Sequence, residues 1–341
     1  MKTSLFDYQL PPELIANSPV SPRDHSRLMI INKKDNRITH KHFYDIIDYL
    51  DDNDVLVLNK TKVFPARVFG NKESGGKVEL LLTKSIGEFN WETLAKPGLK
   101  VGTKINFKGF SGEVIKRDSE IHIIKFNLDR ITLLENLNQT GITPLPPYIH
   151  NEDPETELRI KYQTVYAKNL GSVAAPTAGF HFTDELLEKI KDKGVQIEYV
   201  TLHVGLGTFM PVKTENLEDH VMHSEEFFVE EEVIEKLNTA KEEGKRIIAV
   251  GSTSTRVLET LAITNSKLQI ANKNNTNIFI FPPYKFKFVD VMITNFHLPK
   301  STLMAMVYAF GGTELMKRAY KEAINERYRF YSFGDSSMII D

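Results

Sequence analysis

Between Gly171 and Gly312, five short clusters bring imidazole, hydroxyl and glycine together: Ser172–Phe182 (SVAAPTAGFHF), Thr201–Val212 (TLHVGLGTFMPV), His220–Glu226 (HVMHSEE), Ala249–Arg256 (AVGSTSTR) and Thr294–Thr302 (TNFHLPKST). Half of the ten histidines lie in them. Imidazole titrates close to neutrality and can take or return a proton at working pH. His181, His203 and His297 each follow or interrupt an apolar run beside Gly, Thr or Asn, which makes them the candidates for proton transfer. Any one of them alone is more often a hydrogen-bonded core or cap histidine. His220 and His223, with Asp219 and Glu225 adjacent, raise a metal site, but the HExxH spacing is missing and no cysteine completes a ligand set. A structural or substrate-binding pair, with no metal, is the better reading.

Arg256 follows Ser252, Thr253, Ser254 and Thr255 directly after the apolar run Ile247–Val250. A strand-to-helix junction of that kind offers backbone N–H groups, hydroxyls and a guanidinium to a carboxylate or phosphate. An arginine opposes the helix dipole there, so a bound anion accounts for it better than local stability does. Lys300, Ser301 and Thr302 repeat the pattern, with an ordinary capped helix as the alternative. Val204–Phe209 (VGLGTF) begins like a dinucleotide loop, but Met210 stands where the third glycine would fall, and there is no P-loop. Gly75-Gly76-Lys77 reads as a hairpin turn rather than a phosphate grip.

Polar clusters that close apolar runs describe the rim of an α/β sheet, where open sheets bind ligands. Strand runs at Arg27–Ile31 and Asp54–Leu58 precede a different segment. Ala66–Lys72, Lys77–Ser85, Asn90–Lys96, Lys104–Lys108, Gly112–Arg117 and Ile121–Asn127 read as six short strands separated by turn signals, without a convincing helix, as in a small barrel. After the proline-rich Thr143–Tyr148, helices and strands alternate. Thr183 reads as an N-cap ahead of Asp184 and Glu185, with a stop at Gly194; Glu231–Glu243 repeats the design and stops at Gly244. Buried strands are expected at Ile247–Val250, Ile278–Phe281 and Val289–Ile293. The expected fold is an α/β main domain with a mixed sheet (1–62 and 151–341), split in sequence by an inserted small all-β barrel domain (63–150).

The chain has 341 residues and no cysteine, which excludes disulfides, thiolate metal sites and cysteine nucleophiles. Its amino terminus carries acidic residues and prolines where a secretion signal needs an apolar stretch, and its apolar runs are too short to span a bilayer, so a cytoplasmic protein is expected. Net charge is only −2, yet Lys60–Lys108 holds ten basic residues against four glutamates. That asymmetry fits a phosphate backbone, although solvated lysines on strands give the same count.

The motif series SVAAPTAGFHFT, LHVGLGTFMPV, HVMHSEE, IIAVGSTSTRVLET and TNFHLPKSTLMAMVYAFGG resembles that of the S-adenosylmethionine:tRNA ribosyltransferase-isomerases of queuosine biosynthesis. The likeness extends to FDYQLPPELIA, RDHSRLMII, DVLVLNKTKVFPARVFGNKESGGKVELLL and RYRFYSFGDSSMII, in order, and covers almost the whole chain. Lys60 and Ser252-Thr253-Ser254-Thr255 depart from the family pattern, which touches ligand contacts rather than membership.

The resemblance implies that the ribosyl group of S-adenosylmethionine is transferred and isomerised onto 7-aminomethyl-7-deazaguanine at the tRNA wobble position, giving epoxyqueuosine and releasing adenine and methionine. It implies a consumed donor and no cofactor, an anticodon stem-loop as partner, and a monomer. Such chemistry needs a base for a C5′ proton made acidic by the sulfonium, help for departing adenine, and an uncharged amine. On residue type and position, His181 or His203 is the expected base, with His297 as alternative or as donor to adenine. Glu225 is expected near the amine or sulfonium, Arg256 on the methionine carboxylate, and Phe182 or Phe209 on adenine. Pro176, Thr177, Gly205, Gly207, Thr208, His223, Thr253, Ser254 and Asn295 complete the expected donor site. Arg23, Arg27, Lys60, Lys62, Arg67, Lys72, Lys77 and Lys84 are the expected tRNA contacts. The alternatives are a metal-dependent hydrolase on His220, His223 and Glu225, or a non-catalytic RNA-binding module.

Overall fold

A computed structural model describes residues 1–205, 211–264, 267–269 and 274–341, with the side chains of 263 and 264 left aside. Strands β1 (Arg27–Asn32), β2 (Arg37–His42) and β3 (Asp54–Asn59) open the main sheet, and β4 (Thr61–Val63) leads out of it. The chain then builds β5 (Arg67–Lys72), β6 (Lys77–Ser85), β7 (Asn90–Lys96), β8 (Lys104–Asn106), β9 (Ser111–Asp118) and β10 (Ile121–Phe126), which close into an antiparallel barrel in the order β10-β7-β6-β5-β8-β9. Alternation makes the barrel: Val78, Leu80 and Leu82 of β6 point inward while Lys77, Glu79 and Leu81 point out. Gly75 has φ +90° in the β5–β6 turn, with Lys72 and Gly76 paired across it, so the Gly-Gly pair is the hairpin its sequence indicated.

One helix was not legible in this segment. α1 (Arg130–Thr140) is capped by Asp129, whose carboxylate accepts from the Ile131 and Thr132 N–H groups, and its Leu133 and Leu137 are buried in the barrel core. A short α2 (Glu155–Lys161) follows, and β11 (Asn169–Ser172) returns parallel to β4. The chain therefore leaves and re-enters the sheet region along one two-stranded ribbon.

The remaining elements alternate: α3 (Asp184–Asp192), β12 (Gln196–Leu202), β13 (Glu225–Phe228), α4 (Glu231–Glu242), β14 (Arg246–Val250), α5 (Gly251–Leu261), β15 (Ala262–Thr264), β16 (Lys267–Leu268), β17 (Asn275–Thr276), β18 (Val291–Asn295), α6 (Thr302–Gly311), α7 (Thr313–Asn325) and β19 (Ser336–Ile340). The nine-stranded sheet runs β17-β13-β12-β3-β14-β18-β19-β1-β2. It is mixed: β12, β3, β14 and β18 are parallel, and β18 meets β19 antiparallel. Strand β3 (DVLVLN) is buried throughout because both faces are covered. Val55 and Val57 pack under α4, α5 and α6, whereas Leu56 and Leu58 pack under α3 on the other face.

Thr183 caps α3 through Oγ1, 3.1 Å from the Leu186 nitrogen, and Gly194 and Gly244 end α3 and α4 at positive φ as expected. The strand expected at Ile278–Phe281 is corrected. Strand pairing stops at Thr276, and 278–281 runs as irregular chain into Pro282-Pro283, where missing N–H groups cannot continue a ladder.

Candidate functional site

A cleft of about 590 Å³, its open side included, lies at the carboxyl ends of β14 and β18. Its walls are Ala175–Ala178, Val204, Gly251–Thr253, Thr294–Leu298, Ser301, Leu303, Tyr148 and Tyr331–Ser332. The crevice falls beside the point where β3 connects outward to β12 on one side and β14 to β18 on the other, the place where open sheets leave room for ligands. Four of the five clusters converge on it, and of the expected donor residues Pro176, Thr177, Thr253 and Asn295 line it directly.

The three histidines separate clearly. Of the three, His297 alone is among the residues that line the cleft. Its Nε2 lies 2.8 Å from Thr294 Oγ1, and its carbonyl accepts from the Tyr8 hydroxyl. Burial drives its pKa down to about 3, so the ring is neutral at physiological pH. His181 stands one residue deeper. Its Nδ1 is 2.7 Å from Ser26 Oγ, its Nε2 is 3.4 Å from Asn295 Oδ1, and its ring packs on Phe43. Burial, reinforced by Arg23 and Arg329, lowers its pKa to about 4 against the raising effect of the hydrogen bond that its Nε2–H donates to Asn295 Oδ1. The Asn295 amide donates to the Tyr331 carbonyl, 2.9 Å away, so His181 and Tyr331 fix how this cleft side chain points.

His203 serves another place. Its Nδ1 is 2.9 Å from Thr61 Oγ1 at the β4–β11 ribbon, and a Cβ on Gly171 would sit 2.7 Å from its ring. Burial lowers its pKa, partly offset by Glu226.

Glu225 and Arg256, expected on different parts of the donor, are joined to each other. Rather than facing a donor separately, they form a buried ion pair, and the other Glu225 oxygen accepts from the Gly205 N–H at 2.7 Å. Arg256 also reaches the Thr276 carbonyl at 3.5 Å. The anion that accounts for an arginine near this helix start is thus a side chain of β13. Phe182, expected on adenine, is fully buried edge-on to Phe43 in the core beneath α3. Its apolar neighbours, not the cleft, define its position. Ser254 is buried in α5 outside the cleft lining. Gly207, Thr208 and Phe209 lie outside the described residues.

His220 and His223 do not gather a ligand set with Glu225. Glu225 turns to Arg256, while His220 packs edge-on to Phe279 at 5.4 Å. Among the described residues no group of three or more His, Asp or Glu could hold a metal ion, and no helix is long and apolar enough to cross a membrane.

The expected tRNA contacts divide into two sets. The arginines are occupied internally: Arg23 donates to the carbonyls of Gln163, Ile160 and Lys161, Arg27 stacks 3.8 Å from the Tyr328 ring centre, and Arg67 pairs with Glu79. Lys60 pairs with Glu230 at 2.8 Å. Lys62 and Lys77 are exposed, and Lys72 and Lys84 half-exposed, on and beside the barrel. Sequence reading did not single out Tyr148, Tyr331 or Ser332, which come to the cleft from remote segments. Tyr148 donates to or accepts from Ser332 at 2.8 Å, and Tyr331 has φ +71°, held by the bond from Asn295.

The family model described as "Queuosine biosynthesis protein" matches residues 3–339. An S-adenosylmethionine:tRNA ribosyltransferase-isomerase of Thermosipho melanesiensis is 50% identical over 343 residues, covering 99% of this chain and all of its own length. The protein of the same name from Thermotoga maritima is 49% identical over 344 residues, covering both chains completely. A crystal structure of S-adenosylmethionine tRNA ribosyltransferase from Thermotoga maritima superposes with a TM-score of 0.56 at 38% identity, over 99% of this chain and 100% of that one. A mixed sheet with an antiparallel barrel, a cleft at the strand ends and full-length matches agree: this chain belongs to the family of queuosine biosynthesis proteins.

Proposed function

We infer that this chain is an S-adenosylmethionine:tRNA ribosyltransferase-isomerase, moving the ribosyl group of the donor onto 7-aminomethyl-7-deazaguanine at the tRNA wobble position. The observation that carries this reading is about 50% identity, over essentially its whole length, to proteins bearing that name. The cleft at β14 and β18 is the proposed donor site, and the donor is consumed with no further cofactor. The proposed setting is the cytoplasm and the proposed working form a monomer.

Among the histidines, His297 is the proposed proton-handling group. A base must touch the proton it takes, and of His181, His203 and His297 only His297 is among the residues that line the cleft. Burial keeps the ring neutral and also weakens it as a base, while the Thr294 hydroxyl holds the ring's orientation. His181 is a positioning residue that acts through Asn295. The Glu225–Arg256 pair is a scaffold under Gly205 rather than a ligand group.

The test is adenine release from S-adenosylmethionine with and without tRNA carrying the aminomethyl base, together with washout of deuterium from the donor C5′ position. Release that depends on the modified tRNA is expected in the parent. His297→Gln is expected to lose washout by about 100-fold or more, the usual range for a positioned acid–base group. Adenine release from neither mixture would remove the reading, and normal washout in His297→Gln would return the base to another residue.

A further inference from the structure

Helix α5 starts abruptly. Gly251, at φ +84°, turns the chain straight out of β14, and Val250 at the N-cap gives no side-chain hydrogen bond. Its first turn has no acidic residue, unlike α4 with Glu231 and Glu232, and no capping oxygen, unlike α6 with Ser301. Among the described residues, neither the cap nor the first turn of this eleven-residue helix supplies an anion or a capping oxygen to its positive end. A second observation points to a ligand at the same place. Thr253 lines the cleft, is 5% exposed, and its Oγ1 is buried without a hydrogen-bond partner. Such an atom costs stability unless something bonds to it. It lies beside Gly251, where a Cβ would come within 3.7 Å of it and 3.3 Å of the Ala178 methyl, so the missing side chain leaves the backbone approachable.

We propose that the first turn of α5, Gly251–Ser254, binds the α-carboxylate of the donor through backbone N–H groups together with the Ser252 and Thr253 hydroxyls. This rests on the donor reading given above and says which end of the molecule lies where. Arg256 does not take part, because Glu225 already neutralises it. The geometry fits a single ligand spanning two strand ends. β14 and β18 are hydrogen-bonded neighbours, with Val250 opposite Ile293, and the residues that follow them, Gly251–Thr253 and Thr294–Leu298, line the same cleft. A donor whose carboxylate sits on the α5 turn therefore has its sulfonium end within the cleft that His297 also lines. A phosphate of RNA has the same chemistry, but the pair Ser252 and Thr253 sits on the cleft floor, 9% and 5% exposed, where a phosphate flanked by two nucleosides does not reach.

The experiment compares equilibrium binding of S-adenosylmethionine and its decarboxylated form, without tRNA, to the parent, Thr253→Val and Ser252→Ala. In the parent the decarboxylated donor is expected to bind about 10- to 100-fold more weakly, the worth of hydrogen bonds to a charged group. Each variant is expected to weaken the intact donor several-fold while leaving the decarboxylated donor unchanged, so the discrimination shrinks. Equal binding of both donors by the parent overturns the carboxylate site while leaving the donor reading intact. Weakened tRNA binding in the variants, with donor discrimination preserved, assigns the turn to a phosphate and also overturns it. Binding of neither donor, also when tRNA carrying the aminomethyl base is added, removes the donor reading itself. Because the parent comparison needs no substitution, a variant that fails to fold leaves the proposal exposed to refutation.

Discussion

The buried histidines have a cost that pH reveals. His181 and His297 are held neutral with pKa values of about 4 and about 3, against an ordinary value near 6.5 once the chain unfolds. Between those limits the unfolded chain binds protons that the folded chain refuses, so stability falls as pH falls. The loss begins near pH 6.5 and continues toward about pH 4. Urea unfolding at about pH 7 and about pH 5 should show a drop on the order of 1–2 kcal/mol for each of the two. His181→Gln should flatten this slope while lowering activity less than His297→Gln does; an unchanged slope would show that His181 protonates in place. At this scale the sequence was only partly legible. Imidazoles beside Gly, Thr and Asn identified the right segments, but residue type could not distinguish a histidine of the cleft lining from one behind Asn295 or one at the β4–β11 ribbon. Direction along a chain is set by pairing partners more than a hundred residues away, such as Ser26 for His181 and Thr61 for His203.

Among the elements, β13, α5 and the chain leaving β12 are joined by one carboxylate. Glu225 bonds to Arg256 and to the Gly205 N–H, so the pair ties the second strand of the sheet, helix α5 and the chain after β12 together. Removing one partner strands a buried charge, which typically costs about 3–5 kcal/mol. Arg256→Met and Glu225→Gln should each lower the urea unfolding free energy by about that much. The double variant should be less destabilised than the sum of the singles, and strict additivity would mean the two charges act independently. Local signals served well for elements whose ends are chemical: Thr183, Gly194, Gly244 and the Gly75-Gly76 hairpin all mark the boundaries expected of them. They failed for Ile278–Phe281, where an apolar run fills a core position at Ile280 without a strand partner. α1 escaped because its helical pattern is weakly amphipathic and buries only Leu133 and Leu137.

For the whole molecule, the six barrel strands stood out because turns and alternation are local, while the sheet order β12-β3-β14-β18 could not be read, since it joins strands across the barrel. The proposed anticodon contact belongs at this scale. With the arginines committed to internal carbonyls, rings and carboxylates, the lysines of the barrel are the free part of the basic segment. Reversing Lys72, Lys77 and Lys84 to glutamate should weaken tRNA binding and make its logarithmic salt slope shallower by about 2–3, roughly one per lost phosphate contact, without altering donor binding. Unchanged affinity and slope would move the RNA to another face.

The ribbon of β4 and β11 has a kinetic consequence. Strands β3 and β12 pair in register, Gln196 against Val55 through Val200 against Asn59, although the whole barrel lies between them in sequence. Closing a disordered loop of that length carries a large entropy cost, whereas the barrel's own pairings join mostly adjacent hairpins. Once the barrel has formed, its entry and exit are held side by side, and the two central strands need to close only a short gap. The formed insertion thus lowers the loop-closure cost of pairing the two strands it separates in sequence.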